Sequence, residues 1–211
     1  MTWTILGGAG YTISLFFICA LCSIPLGLLL SFVRVSSSRI LRAIVGFYVW
    51  LLRGTPLMLQ LFFVYFGLPQ IPTIGQYMTF GRFEAACITF VLNYAAYFCE
   101  IFRGGIISID KGQYEAAYAL GLNGWTTTTR IVIPQMICVV LPSITNECVT
   151  LVKDTSLITA IAIQEILYYA KNLVNTTGGN PYPYLVAAII YLVMNDVLMR
   201  IFTRLEKRYA F

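Results

Sequence analysis

The sequence predicts an all-α polytopic membrane protein with five transmembrane helices, and three observations carry that prediction. Of 211 residues, 59% are hydrophobic and 11% charged, too little charge to cover a water-soluble globule of this length. The mean hydropathy is +0.79. The apolar residues also fall into separate runs of about 20, the length at which a helix crosses the hydrocarbon core. Basic residues collect at the ends of those runs and form no dense patch interleaved with aromatics, so the formal net charge of +5 reads as a set of topology signals and not as a nucleic-acid surface.

In chain order, the stretch MTWTILGGAGYT holds no basic residue and no small-residue cleavage site. It is expected to stay attached, not to serve as a removable signal peptide. The first span covers residues 13–33, with Pro25 and Gly27 inside it; membrane helices tolerate both, and a kink is expected near Pro25. The second, residues 44–66, is interrupted by Arg53, Gly54, Thr55 and Pro56. There Thr can cap and Pro can open a new helix, or a longer helix can kink; a kink with Arg53 near the cytoplasmic side is expected. The third span, residues 83–102, carries Ala85, Ala86, Ala95 and Ala96, small residues that permit close helix approach within one chain or between two. Glu100 and Arg103, three apart at its end, are placed to pair locally. The fourth and fifth spans cover residues 136–158 and 184–202. Residues 1–211 form a single transmembrane domain.

The loops between spans differ in kind. LPQIPTIG and NTTGGNPYP are turn-rich, and AIAIQEILYYAKNL after Thr159 has the pattern of a short amphipathic helix on the external face, where a capture protein can dock. The segment Gly112 to Gln135 is a good helix former up to Leu120, with Tyr114, Ala117, Tyr118 and Leu120 in an apolar stripe and Glu115 off it. Gly121 supplies the left-handed residue that ends such a helix. Asn123, Gly124 and the threonines 126–129 then make a turn and an N-cap for a second helix, and Pro134 kinks the chain into span four. Arg34, Arg39 and Arg42, then Arg103, Lys111 and Arg130, then Arg200, Arg204, Lys207 and Arg208 mark three segments as cytoplasmic, against Arg82 and Lys171 alone on the other side. The N-terminus is therefore expected outside, the C-terminus inside, and the helix-turn-helix of 112–135 in the cytoplasm.

Spacing in that segment gives it an identity. Glu115, Ala116 and Ala117, three residues, Gly121, nine residues, Ile131, one residue, Ile133 and Pro134 resemble the EAA loop of ABC-importer permeases, EAA-x3-G-x9-I-x-L-P, with Ile133 in place of Leu. RGTPLMLQLFFVYFGLP (53–69), NYAAYFCEIFRGGIISIDKGQ (93–113) and LVKDTSL (151–157) extend the likeness over most of the chain. Together they resemble the polar amino acid uptake permeases. The resemblance implies that Glu115, Ala116, Ala117, Gly121, Ile131 and Pro134 dock into a cytoplasmic ATPase dimer that binds ATP and Mg; this chain has no phosphate-binding Gly-x4-Gly-Lys-Ser/Thr loop of its own. It further implies a periplasmic or extracellular amino acid binding protein, a second permease chain, identical or paralogous, and a multi-pass place in the bacterial inner membrane. Neither a catalytic residue, a resident cofactor nor a metal site is expected in the chain: it has no histidine, and its cysteines lie in apolar spans as small hydrophobes.

The cargo is read from ionisable residues at membrane depth, which are rare unless paired or facing a polar cavity. Glu147 and Asp154 lie seven apart in span four, on one helix face with Thr150 between them, while Lys153 points about 100° away. On one reading the two carboxylates line the transport path and attract a cationic amino acid such as arginine, lysine or histidine. On the other, Asp154 pairs with another helix end and Glu147 with a residue such as Arg53. Gln60 and Asn93 are polar side chains that either hydrogen-bond substrate or join helices. A neutral or sulfur-containing amino acid, glutamine or cystine, is the alternative cargo. A secondary carrier or channel is disfavoured, because the sequence has no internal repeat and few helices.

Overall fold

The computed structural model describes residues 2–209, which form ten α-helices joined by short π- and 3-10-helical turns, with no strand among them. α1 (Thr2–Leu6) and α2 (Ala9–Val35) make one apolar rod of 34 residues. The helix passes through Pro25 without a break, so the proline marks no end of the element. α3 (Arg39–Gly54) and α4 (Leu57–Phe62) follow, α4 prolonged by a π-turn, Phe63–Gly67, and a 3-10 turn, Leu68–Gln70. Next come α5 (Arg82–Ser108), α6 (Lys111–Ala119) and α7 (Gly124–Thr127), then a π-turn (Thr128–Val132) leading into α8 (Ile133–Asp154). A 3-10 corner (Thr155–Ile161), α9 (Ile166–Thr176) and α10 (Tyr182–Tyr209) complete the chain.

Four of these elements are long and apolar enough to cross a membrane, and α3 with α4 would make a fifth, bent by 104° between its halves. The bend is sharper than the expected kink. Arg34 Nε at the end of α2 lies 3.4 Å from Glu100 Oε1 near the end of α5, which brings the ends of α2 and α5 together. Each rod also runs past its expected apolar span.

α5 is the central helix, mostly buried, while α10 has few fully buried residues and packs against the core through half-buried Tyr191, Met194, Leu198 and Phe202. In a bilayer, helices associate through close packing and not through exclusion of water, and the contacts of α5 show the means. Ala85, Ala86, Ala95 and Ala96 are all fully buried within the single chain. Gly27 of α2 sits so near α5 that a Cβ there would lie 2.6 Å from Phe98 Cβ and 3.0 Å from the Ala95 carbonyl oxygen. Gly27→Val should therefore push the two helices apart at a cost of about 1–3 kcal/mol or more. The expected result is a thermal unfolding midpoint lower by several degrees for the purified protein; an unchanged midpoint would show that the crossing is looser than this geometry. Glu100 closes the same pair of helices at their ends, holding Arg103 at 2.7 Å in the expected local pair as well as Arg34.

At the opposite end, the acid of the expected amphipathic helix is internal. Glu165 is fully buried and caps α9, its carboxylate accepting from the Tyr168 amide, the Thr159 hydroxyl and, at 2.7 Å, the Tyr191 hydroxyl of α10. Gly8 packs against its backbone, where a Cβ would meet the Glu165 carbonyl carbon at 2.3 Å. Three donors replace the water that a buried carboxylate gives up, and they tie the 3-10 corner, α9 and α10 into one piece.

Candidate functional site

The break between α3 and α4 is where the membrane-depth polar residues converge. Breaking a helix frees the carbonyls of its last turn, which in a membrane need other donors. Thr55 Oγ1 donates to the Leu51 carbonyl at 2.8 Å. The Leu52 carbonyl accepts from Gln60 Nε2 at 2.8 Å and from Asn93 Nδ2 at 3.0 Å, and Asn93 also donates to Gln60 Oε1 at 3.0 Å. Gln60 Nε2 reaches Thr55 Oγ1 as well, at 2.8 Å. Both amides are thus engaged in holding the bend and joining it to α5.

The bend opens a cavity of about 630 Å³ between α3, α4, α5 and α8. Glu147, Thr150 and Asp154, the residues expected on one face of α8, all line it, as do Asn93, Arg53 and Tyr97. Gln60 does not; it faces a separate apolar groove of about 380 Å³ on the other side of the bend. Asp154 Oδ2 accepts a 2.7 Å hydrogen bond from the Tyr94 hydroxyl of α5, so its partner is a phenol and not another helix end. Glu147 is half-buried and has no hydrogen bond or ion pair among the described residues. Arg53 does not pair with it; the guanidinium carbon stands 5.0 Å over the Tyr97 ring. Lys153 is exposed beside α10, in a different depression from Asp154. Arg53, Tyr94 and Tyr97 are cavity residues that spacing on α8 alone does not reveal. The signal for Arg53 was the charge in RGTP, and for the tyrosines their proximity to Asn93 on the same helix.

The cavity is therefore lined by two carboxylates and one guanidinium with hydroxyls among them. Such a lining replaces part of the hydration of a small charged solute. No cluster of metal-ligating residues occurs among the described residues.

The second polar region is the projecting segment 111–135. Asp110 caps α6 by accepting from the Gly112 amide at 2.6 Å, Gly121 adopts φ +70° at its end, and Asn123 caps α7 by accepting from the Thr126 amide at 2.8 Å. Gln135 Nε2 meets Gln113 Oε1 at 3.2 Å, closing the hairpin. Ala117 faces inward, whereas Glu115, Ala116 and Gly121 are exposed, Ile131 lies in the π-turn and Pro134 in the first turn of α8. Of the expected apolar stripe, Ala117 is buried while Tyr118 and Leu120, like Trp125 beyond the turn, are each more than three-quarters exposed. Partial burial raises the Tyr114 phenol above its ordinary value of 10.0, so that ring is neutral at physiological pH.

A family model described as "binding-protein-dependent transport system inner membrane component" matches residues 23–211. The arginine transport system permease protein ArtQ of Bacillus subtilis (strain 168) is 37% identical over 204 residues, covering 97% of this chain and 91% of that protein. A putative glutamine transport system permease protein, GlnP of Rickettsia conorii (strain ATCC VR-613 / Malish 7), is 34% identical over 204 residues, covering 97% and 92%. Among solved structures, the crystal structure of an amino acid ABC transporter with histidines superposes with a TM-score of 0.88 at 29% identity, over 98% of this chain and 94% of that one.

Proposed function

We infer a function from one premise: the chain belongs to the family of binding-protein-dependent transport system inner membrane components. It is the permease subunit of an amino acid ABC importer, a translocation component and not an enzyme. On our reading its cargo is a polar, cationic amino acid of the arginine, lysine and histidine class, delivered by a binding protein and passed to the cytoplasm. The observation that carries this reading is the meeting of Glu147, Thr150 and Asp154 in one cavity, since two carboxylates in a partly dehydrated space favour a cation over a neutral molecule. The relative named for arginine transport agrees with it. A neutral cargo such as glutamine or cystine is the runner-up, supported by the relative named for glutamine.

The chain would lie in the bacterial inner membrane, N-terminus outside and C-terminus in the cytoplasm, as the basic residues beyond α2 and α5 favour. The 111–135 hairpin then faces a cytoplasmic ATPase dimer, which binds ATP and Mg, and its exposed Tyr118, Leu120 and Trp125 suit insertion into a groove on that partner. A second permease chain would complete the translocation unit. The outer corner held by Glu165 is the surface offered to the binding protein. On this reading ATP-driven closure of the ATPase dimer moves the hairpin, and α8, continuous with it through the π-turn, carries the motion to the cavity.

The deciding measurement is uptake and ATPase stimulation in proteoliposomes containing the chain with its ATPase, its binding protein and, where needed, the second permease. Arginine, lysine and histidine are expected to stimulate more than glutamine or cystine. Stimulation by the neutral amino acids alone would overturn the cationic assignment.

A further inference from the structure

We propose that Arg53 is the docking point for the α-carboxylate of the transported amino acid, facing the two acids that receive its cationic groups; this rests on the reading of the cavity as an amino acid site. Arg53 is an exposed residue of the single chain, and an arginine at membrane depth is normally neutralised by a carboxylate or carbonyl. Arg53 has no such partner: the three ion pairs among the described residues are Arg34 with Glu100, Arg103 with Glu100, and Arg200 with Asp196. Glu100, which shares a second cavity of about 400 Å³ with Arg53, is already held by two other arginines.

The local geometry fits a waiting carboxylate. The bend at Gly54 puts Arg53 in the wall of the larger cavity, and stacking on Tyr97 at 5.0 Å fixes the guanidinium from one face. Its N–H edges are left for a planar two-oxygen acceptor, the match that a guanidinium makes better than an ammonium group. Charge balance points the same way. The charged residues of the cavity wall are one cation, Arg53, and two acids, Glu147 and Asp154. A basic amino acid is the complement, with one carboxylate, one α-ammonium group and one cationic side chain. A neutral amino acid leaves one wall carboxylate uncompensated.

The test uses the whole permease–ATPase complex in nanodiscs, with the native cysteines replaced and Thr150→Cys introduced as a cavity probe. Protection of that thiol from a charged alkylating reagent is titrated with arginine and with agmatine, which keeps the guanidinium but lacks the carboxylate. With Arg53 present, arginine should protect at a concentration about tenfold or more below that of agmatine. Arg53→Gln should remove most of that gap by weakening arginine alone, and Arg53→Lys should restore part of it. An unchanged gap, or equal weakening of both ligands, would overturn the assignment. If glutamine protects and arginine does not, the cationic reading fails separately, and glutamine against 4-aminobutanamide, its decarboxylated counterpart, puts the same question to Arg53. If no amino acid protects, both readings fall.

Discussion

Glu147→Gln is expected to reduce uptake of arginine and lysine sharply while leaving a neutral amino acid nearly unaffected. The carboxylate of Glu147 lines the cavity without any protein partner among the described residues. Its charge is therefore free to act on a ligand. A hydrogen bond to a charged group contributes about 1.5–3 kcal/mol, which corresponds to a roughly 10- to 150-fold loss in binding. The amide keeps the size and hydrogen-bonding capacity of the side chain, so the loss measures charge. Asp154→Asn should behave differently. Asp154 accepts from the Tyr94 hydroxyl at 2.7 Å, an α8 to α5 contact, so the substitution disturbs packing as well as charge and should lower transport of every amino acid. The measurement is initial uptake rate across a panel of basic and neutral amino acids for both variants. Equal loss for all substrates in Glu147→Gln would assign Glu147 a structural role.

The contrast between these two acids also marks what a single sequence makes legible. Their common face follows from helical spacing alone, because residues seven apart complete two turns. Their different partners depend on α5, sixty residues away in sequence, and no local pattern encodes that Tyr94 meets Asp154. Gly121 was fully legible: a helix that must stop and turn within a few residues needs a positive φ, and glycine is the residue that adopts it without strain. Arg53 was legible only as an interruption. Hydropathy registers a charge beside Gly and Pro but not a bend of 104°, nor that Gln60 and Asn93 supply the donors that make so large a bend tolerable. The burial of Glu165 was not legible for a related reason. On an amphipathic helix an acid reads as surface, and only the tertiary meeting with Thr159 and Tyr191 makes its burial possible. The exposed apolar residues of the 112–135 segment carry the same lesson: apolar periodicity locates a stripe on a helix but does not say what covers it.

On the proposed docking of that segment to an ATPase, Glu115→Lys and Gly121→Val should separate ATP hydrolysis from uptake. The two substitutions reach one result by different physics. Glu115 is exposed on α6, so reversing its charge leaves the interior of the permease intact and alters only the surface that, on the proposed reading, meets the ATPase. A like-charge contact created there opposes docking by amounts that depend on ionic strength. Gly121 acts through the backbone. At φ +70° a β-branched residue is strained by about 1–3 kcal/mol, and no heavy atom lies within 4 Å of a Cβ placed there, so the penalty is conformational and not a clash. The hairpin relieves it by changing the angle between α6 and α7, the geometry that presents Tyr118 and Trp125 together. Both variants should insert and fold, retain binding-protein-independent ATPase activity in the assembled complex, and lose about tenfold or more of the uptake per ATP hydrolysed. Raising the salt concentration should worsen neither the strain at Gly121 nor its effect, but should partly rescue Glu115→Lys, because screening weakens only the charge contact. Full coupling in both variants would remove the hairpin from the path by which ATP drives transport, and rescue of Gly121→Val by salt would show that its defect is electrostatic and not one of backbone shape.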